Sequence, residues 1–562
     1  MVAEWDEARA VRLARELSLH PLTARVLVSR GNSELEAAGR FLDPKLSELP
    51  DPFTMKGMEA AVARLARALE SGERIGCYGD YDVDGVTSTV LLVSFLRACG
   101  ADVVSYTPHR LVEGYGLNTG AVEKLAGQGV RLLVSLDCGI TSVDEVAAAA
   151  QLGMDTVVVD HHTVPVELPR AVAILNPHQP GCGYPSKNLA AVGVTFCLAM
   201  ALRKRLRELG KFGAHRPEPN LREVLDLVAL GTVADVVPLL DANRILVRWG
   251  LEELARSRRP GLVALKRVAG IADGTPVTAG QVGFRLGPRI NAAGRLDDAG
   301  RGVRLLLEDD AGRAAALAEE LDRENRSRQE IERQILVEAL EDAAARVAAG
   351  ARGMVLARTS WHAGVVGIVA ARVVERFHRP AVLVAVQDGV GKGSGRSIEG
   401  FHLHDALSAC SPHLLRFGGH RHAAGVTVAA AAIPAFQEAF ERYAATSLAD
   451  EDLVPRCRIE GWAEPGHLSE SAALDLEKLA PFGAGNPEPV FGLRVVPERV
   501  RTVGPGGAHL KLALGRLDAI GFSLGDQASV CAGEVEAAVA LGFDDWDGGR
   551  RLQLKIKDLR GA

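Results

Sequence analysis

Tyr78-Gly79-Asp80-Tyr81-Asp82-Val83-Asp84-Gly85 sits between an apolar run at 74–78, short enough for a strand, and a helix-length apolar stretch at 86–99. The pattern repeats on either side. Helical periodicity at 58–70, 119–127 and 142–152 alternates with strand-like runs at 102–107, 131–136, 156–159 and 172–175. Strand and helix taking turns predict a parallel sheet covered on both faces. Such sheets bind ligands beyond the carboxyl ends of their strands. Asp80, Asp137 and His161 each follow a strand at that edge, so position and chemistry coincide.

Farther along, 311–345 reads as one long charged helix bridging two bodies, with Leu317, Leu321, Ile331, Ile335, Leu336, Ala339 and Leu340 as its apolar members. A second α/β pattern follows, with strands at 353–357 and 381–386 around a helix at 363–377. An alanine-rich, acidic stretch at 429–452 leads into a strand-rich tail, 490–562, whose glycine turns fit a small barrel. Residues 1–50 read as a helical lead-in.

The 562 residues have room for about three or four domains. Apolar content of 47% and charged content of 24% are ordinary globular values. A net charge of −6 gives no global basic signature, but bound cations would change that balance, so local arginine placement matters more. The eight cysteines form no Cys-x-x-Cys pair, which argues against structural zinc. Neither a signal-peptide pattern nor a bilayer-length apolar stretch is visible, and the simplest expectation is a reduced, cytoplasmic protein.

Asp80, Asp82, Asp84, Asp137, His161, His162 and Asp235 are the chemistry-bearing set. Carboxylates and imidazoles are costly to gather unless cations compensate them, and two hard divalent ions would also supply a hydrolytic catalyst. Taken singly, each motif has an ordinary explanation. Asp80-x-Asp82-x-Asp84-Gly85 opens like a calcium loop, but the twelfth position is Leu91 rather than Glu and a strand precedes it. Adjacent histidines are often surface residues, and Cys138 reads as a small buried side chain. Gly391-Lys392 is not a nucleotide-binding loop, because Val386 replaces its first glycine and Gly393 its Ser/Thr. The ordered ensemble is what carries meaning.

Tyr78–Gly85, Ser135-Leu-Asp-Cys-Gly139, Asp160-His-His162 and Gly231-Thr-Val-Ala-Asp-Val-Val-Pro238 resemble the four motifs of the DHH phosphoesterase superfamily. The likeness continues through Gly287-Pro-Arg-Ile-Asn-Ala-Ala-Gly-Arg295, Trp361-His-Ala-Gly-Val-Val-Gly-Ile-Val369, Gly418-Gly-His-Arg-His-Ala-Ala-Gly425 and Pro481-Phe-Gly-Ala-Gly-Asn-Pro-Glu-Pro489. These resemble the bacterial RecJ family of single-strand-specific exonucleases, from about residue 40 to the end. The resemblance implies a DHH domain over 51–310, a connecting helix over 311–345, a DHHA1 domain over 346–450 and an oligonucleotide-binding (OB) barrel over 455–562.

It further implies a two-metal site for Mn²⁺ or Mg²⁺. Asp137 would bridge the ions, Asp80 and Asp82 would hold one, and Asp84, His161 and Asp235 the other. His162, Arg289 and Asn291 would meet the scissile phosphate, with Asp160 orienting its neighbours. Arg110, Ser394 and Arg396, the last two in a glycine loop, would grip a terminal 5′-phosphate. Arg295, Gly419, His420, Ala423 and Gly425 would contact DNA; the small residues of Gly418–Gly425 also fit tight helix packing. Arg289 and Arg295 have an alternative role as salt-bridging surface residues. The implied activity is 5′-to-3′ hydrolysis of single-stranded DNA to 5′-mononucleotides in recombination and repair. The chain would act as a monomer, with single-strand-binding protein and a RecQ-type helicase as partners. Two alternatives stay in view: a phosphodiesterase for dinucleotides, disfavoured by the tail, and a binding protein that lost the chemistry, disfavoured by the intact acidic set.

Overall fold

The computed structural model describes residues 1–110, 113–296, 300–544 and 549–562. Its first sheet comprises β1 (Arg74–Gly79), β2 (Val103–Tyr106), β3 (Val130–Leu136), β4 (Asp155–Val159) and β5 (Ala173–Leu175). All are parallel, in the order β2-β1-β3-β4-β5. Side chains alternate across it as the pleat requires. Ile75, Cys77, Val134 and Val157 enter one core with the helices Met58–Ser71, Val83–Ala98, Ala191–Glu208 and Leu225–Ala234. Tyr78 and Leu133 enter another with Thr119–Gly127 and Val143–Gln151.

Helix Val83–Ala98 begins three residues earlier than its apolar pattern predicts. Asp82 caps it, accepting from the amides of Asp84 (2.9 Å) and Gly85 (3.1 Å), and so draws the acidic motif into the first turn. Gly85 is required there, since a Cβ would stand 2.5 Å from the Asp80 carbonyl oxygen.

The connecting helix, Ala311–Ala348, has 38 residues and is about 57 Å long. Ala314, Ala318 and Leu321 belong to the first domain's core, and Ile335, Ala339 and Ala343 to the second's, so it joins the two bodies as expected. The second sheet contains β6 (Met354–Arg358), β7 (Ala381–Gln387), β8 (Val390–Arg396), β9 (Arg416–Gly419) and β10 (Ala423–Ala429). Its order is β6-β7-β8-β10-β9, with only β6 and β7 parallel. Two sequence expectations change here. Gly393–Arg396 is part of strand β8, not a loop. Gly418–Gly425 forms the β9–β10 hairpin, not a helix packing. The alanine-rich stretch folds as helix Ile433–Ser447 over this sheet.

The tail sheet holds β11 (Phe491–Val495), β12 (Glu498–Val503), β13 (His509–Leu514), β14 (Leu517–Gly521), β15 (Val535–Asp544) and β16 (Arg551–Gly561). The order is β11-β15-β16-β14-β13-β12, and among the described residues its two end strands do not pair with each other. The first residues are no detached lead-in. Leu13, Leu22, Leu27 and Phe41 of three N-terminal helices share a core with Leu476, Leu493 and Val539 of the tail. Arg30 clasps Glu460 and Asn486. This composite body docks on the first domain through Leu239, whose amide donates to the Ala484 carbonyl (2.8 Å). Arg244 adds bonds to the Phe41 and Ala480 carbonyls (2.7 and 2.9 Å).

Candidate two-metal site

Three backbone hydrogen bonds align the acidic set at the sheet's carboxyl edge. The amides of Asp80, Asp137 and Asp160 donate to the carbonyls of Leu136, Val159 and Leu175 at 3.1, 2.9 and 3.0 Å. Each functional residue therefore leaves the ladder one step past a strand end. Asp137 turns there with φ of +63°, a left-handed conformation that Asp tolerates better than most residues. Asp235 arrives from elsewhere, as the carboxyl cap of helix Leu225–Ala234.

The side chains converge. His161 Nε2 lies 3.3 Å from Asp137 Oδ1, 3.6 Å from Asp235 Oδ2 and 3.9 Å from Asp84 Oδ2. Ligand atoms of Asp80, Asp82 and Asp137 fall within 4.8 Å of one another, as do those of Asp84, His161 and Asp235, and of Asp137, His161 and His162. Asp137 belongs to the first group, and its Oδ1 faces the histidine of the second, the placement expected of a bridging carboxylate.

Burial and mutual repulsion mark the cluster as incomplete without cations. Burial, then Asp84, Asp82, Asp235 and Asp80, pushes Asp137 well above the carboxylate range. Burial followed by Asp82 raises Asp80 likewise and Asp84 to about 7, and burial with Asp84 and Asp82 raises Asp235. Burial, reinforced by His162, lowers His161 to about 4, keeping the neutral ring that can bind a metal. Asp80 Oδ1, Asp137 Oδ1, His161 Nε2 and Asp235 Oδ2 are buried without a hydrogen-bond partner. Buried polar atoms are rarely left so, and four within these adjoining groups fit oxygen-rich ligation of Mn²⁺ or Mg²⁺. Asp84 is anchored separately, its two oxygens accepting from the amides of Ala191 (2.6 Å) and Val192 (2.9 Å).

Asp160 orients rather than joins the cluster. It accepts from the amides of Ile140, His161 and His162 and holds His162 Nδ1 at 2.7 Å. Burial opposes charge on both partners, yet their hydrogen bond wins, lowering Asp160 and raising His162. Sequence reasoning missed two members of this edge. Tyr115 donates its hydroxyl to the Asp137 carbonyl (3.2 Å) and lies 3.1 Å from His162 Nδ1. Asn176 donates to the His162 carbonyl (2.9 Å). It follows β5, so the strand-end rule that found the aspartates would have found it too.

The second domain faces this edge. His420, at the β9–β10 turn, lines a cavity of about 670 Å³ with His161, His162, His178 and Asp235. Gly419 is needed in that hairpin, where a Cβ would stand 2.5 Å from the Ala423 carbonyl oxygen. A Cβ at Gly418 would meet nothing within 4 Å and one at Gly425 only the Gly393 carbonyl at 4.0 Å, so both leave open space. Ala423 pairs across the sheet with Arg396, whose guanidinium donates to Ser394 Oγ (2.9 Å). Burial, then Arg110, lowers Arg396. Burial, then Arg110, Arg328 and Arg396, lowers Arg295 to about 10. Arg110, Arg295 and Arg396 thus feel one another's charge, and Arg110 also stacks 4.8 Å over Tyr81 of the acidic motif.

Arg289 is not brought to the cluster. Its guanidinium is held by Asp322 of the connecting helix (2.9 Å) and by the carbonyls of Arg285 and Val268, so it ties its helix to the connecting helix. Asn291 lines a cavity of about 420 Å³ together with Arg295.

Residues 74–232 match the DHH family, N-terminal domain; 346–446 match the DHHA1 domain; and 459–558 match the RecJ OB domain. The chain is 38% identical over 562 residues to the single-stranded-DNA-specific exonuclease RecJ of Bacillus subtilis, covering 98% of this chain and 70% of that protein. It is 40% identical over 565 residues to the protein of that name from Escherichia coli, covering 96% of each. The crystal structure of RecJ in complex with Mn²⁺ from Thermus thermophilus aligns with a TM-score of 0.86 and 36% identity, over 100% of this chain and 79% of that one.

Proposed function

The chain belongs to the RecJ family of single-stranded-DNA-specific exonucleases, and from that premise we propose that it removes 5′-mononucleotides stepwise from the 5′ end of single-stranded DNA by two-metal hydrolysis. The observation that carries this reading is the convergence of four buried, unpartnered ligand atoms on Asp80, Asp137, His161 and Asp235. Bound there, two Mn²⁺ or Mg²⁺ ions would acidify a water and offset the charge of the phosphate under attack.

The protein's own groups do the rest. Asp80 and Asp82 would hold one ion and Asp84, His161 and Asp235 the other, with Asp137 placed to serve both. Asp160 fixes His162 at Nδ1 and raises its affinity for a proton, leaving Nε2 to donate to a phosphate oxygen. Asn176 holds the His162 backbone carbonyl, and Tyr115 contacts both the same ring and the Asp137 carbonyl. Polarity comes from the cationic group on Arg110, Arg295 and Arg396 with Ser394. A terminal phosphate caught there lies at a set distance from the ligands, so each cut releases one nucleotide. The side of the metal cavity formed by His420 makes a strand in it touch both domains, which favours a single strand over a duplex.

The setting we propose is cytoplasmic DNA recombination and repair, with the chain a monomer served by a RecQ-type helicase and single-strand-binding protein. All eight cysteines are unpaired, in keeping with a reducing compartment. Among the described residues no helix is long and apolar enough to cross a membrane.

The test is digestion of a long 5′-phosphorylated single strand beside its duplex and a dinucleotide, with Mn²⁺ and with chelator. Rapid, Mn²⁺-dependent release of mononucleotides from the long single strand alone is expected. Preference for the dinucleotide would overturn the reading, as would binding without cleavage.

A further inference from the structure

Asp235 reaches the metal cluster from the end of a helix, by a route the sheet does not control. The chain leaves it through Val236, whose φ of +62° lies in the left-handed region that β-branched residues avoid. Val236 is largely exposed, so its own side chain does not hold it there. Such a conformation persists only where the surroundings fix it, and here the residues that follow do so. Leu239 is buried, and its amide donates to the Ala484 carbonyl of the tail (2.8 Å). The turn offering that carbonyl is closed by paired backbone bonds between Gly483 and Asn486 (2.9 and 3.1 Å). The buried Asn486 side chain knots it further, donating to the Leu479 and Pro481 carbonyls (both 2.8 Å). Glycine is needed at 483 and 485, where a Cβ would stand 2.7 Å from Leu239 Cδ1 and 3.0 Å from Pro238 Cβ. Asn243, only 2% exposed, closes the arrangement from the other side. Its side-chain nitrogen donates to the carbonyls of Pro238 (3.0 Å) and Asn188 (2.6 Å). Pro238 lies three residues past Asp235, and Asn188 three residues before Ala191, whose amide anchors Asp84 with that of Val192. A primary amide has two N–H donors, and each serves the segment that places one acidic residue. Among the described residues the Asn243 oxygen has no partner, so this side chain acts as a donor alone.

We propose that Asn243 is a positioning residue for the ion site of Asp84, His161 and Asp235, and that with the tail turn at 483–486 it sets the spacing of the two carboxylates. This rests on the two-metal reading above and adds to it the groups that seat one ion and not the other. Asp84 and Asp235 come from different helices, Val83–Ala98 and Leu225–Ala234, and approach His161 Nε2 to 3.9 and 3.6 Å. Like charges at such range repel, so both segments need a hold on their backbones. Asn243 supplies it without touching either carboxylate. Asp80, Asp82 and Asp137 follow β1 and β3 and take their places from the sheet. Loss of Asn243 therefore acts on one ion and spares the other.

The experiment titrates the full chain, freed of metal by chelator, with Mn²⁺ in a calorimeter, comparing wild type, Asn243→Ala and Gly485→Ala. Turnover of a long single strand is measured beside it at low and high Mn²⁺. Asn243→Ala removes both donors. Gly485→Ala pushes on Pro238 from the tail side and carries the test if Asn243→Ala fails to fold. In each variant one of the two Mn²⁺ binding steps weakens by roughly 10- to 100-fold, the range for groups that support a metal's ligands, while the other step holds. The kcat falls at low Mn²⁺ and returns when Mn²⁺ is raised, with KM for the strand unchanged. Two unchanged binding constants in either folded variant overturn the proposal. Equal weakening of both steps also overturns it, since the brace would then serve the fold as a whole. If wild type takes up fewer than two ions, the two-metal reading fails and takes the proposal with it, a result distinct from the other two.

Discussion

Replacing Asp137 by Asn should make the metal-free protein more stable while destroying its activity. Ligand atoms of Asp80, Asp82 and Asp137 lie within 4.8 Å of one another, so each ionised pair repels by at least about 3.5 kcal/mol at an effective dielectric of about 20. Without cations the folded protein escapes by keeping a proton. Burial and the neighbouring aspartates raise the folded pKa of Asp137 well above the ordinary 3.8. Above pH 3.8 the unfolded chain releases a proton that the folded protein retains, so stability is full below that pH and falls as pH rises towards the folded value. Asn has no such proton to lose, so the variant does not suffer this fall. Its amide can also donate to His161 Nε2, now 3.3 Å from Oδ1. In chelator, thermal unfolding of Asp137→Asn should lie above wild type at neutral pH, the gap widening as pH rises from 3.8 towards neutrality. In Mn²⁺ the order should reverse and turnover should vanish. A variant equal to or weaker than wild type in chelator across that range would refute the idea that these carboxylates are held together against their own repulsion.

Three further outcomes are expected. Arg396→Ala should cut the preference for a 5′-phosphate over a 5′-hydroxyl by roughly 10- to 100-fold, the worth of one charge-assisted contact, in competition digests; unchanged preference would remove it from the end pocket. Arg289→Ala should lower stability by about 1–3 kcal/mol in urea denaturation, because Asp322 loses one of its two arginines, Arg326 remaining. A hundredfold fall in kcat at a temperature where the variant stays folded would return Arg289 to the phosphate. Removing 455–562 alone should give an aggregating protein in gel filtration, since Leu13, Leu22 and Leu27 lose their cover at about 1.5–3 kcal/mol each. Removing 1–42 as well should restore a soluble enzyme that loses more in KM than in kcat, and solubility of the single deletion would contradict the shared core.

Legibility differed between fold and docking for a physical reason. The strands of the first sheet are short, mostly apolar runs because helices cover both faces, so their limits stand out within two residues. The helix after the acidic motif was placed three residues late, because a carboxylate cap is invisible to hydrophobic periodicity. The long helix was legible from end to end, its apolar members changing core partway along. What one chain pattern cannot carry is which separate segments share a core. The N-terminal helices looked like a lead-in because their partners, such as Leu493 and Val539, lie some hundreds of residues away.

The site divides along the same line. Residues that follow a strand end inherit their direction from the sheet, so Asp80, Asp137 and His161 could be placed together from sequence. Asn176, the residue after β5, obeys the same rule. Tyr115 sits in a loop between glycines, where no period gives direction. Residues on helices need their face worked out, and for Gly287–Leu296 the spacing already holds the answer. Asn291 and Arg295 are four apart, on one face, and both line the basic cavity. Arg289 and Arg295 are six apart, which turns them about 120° from each other. Asp322 on the connecting helix takes up the Arg289 guanidinium, while Arg295 reaches the basic cavity beside Asn291.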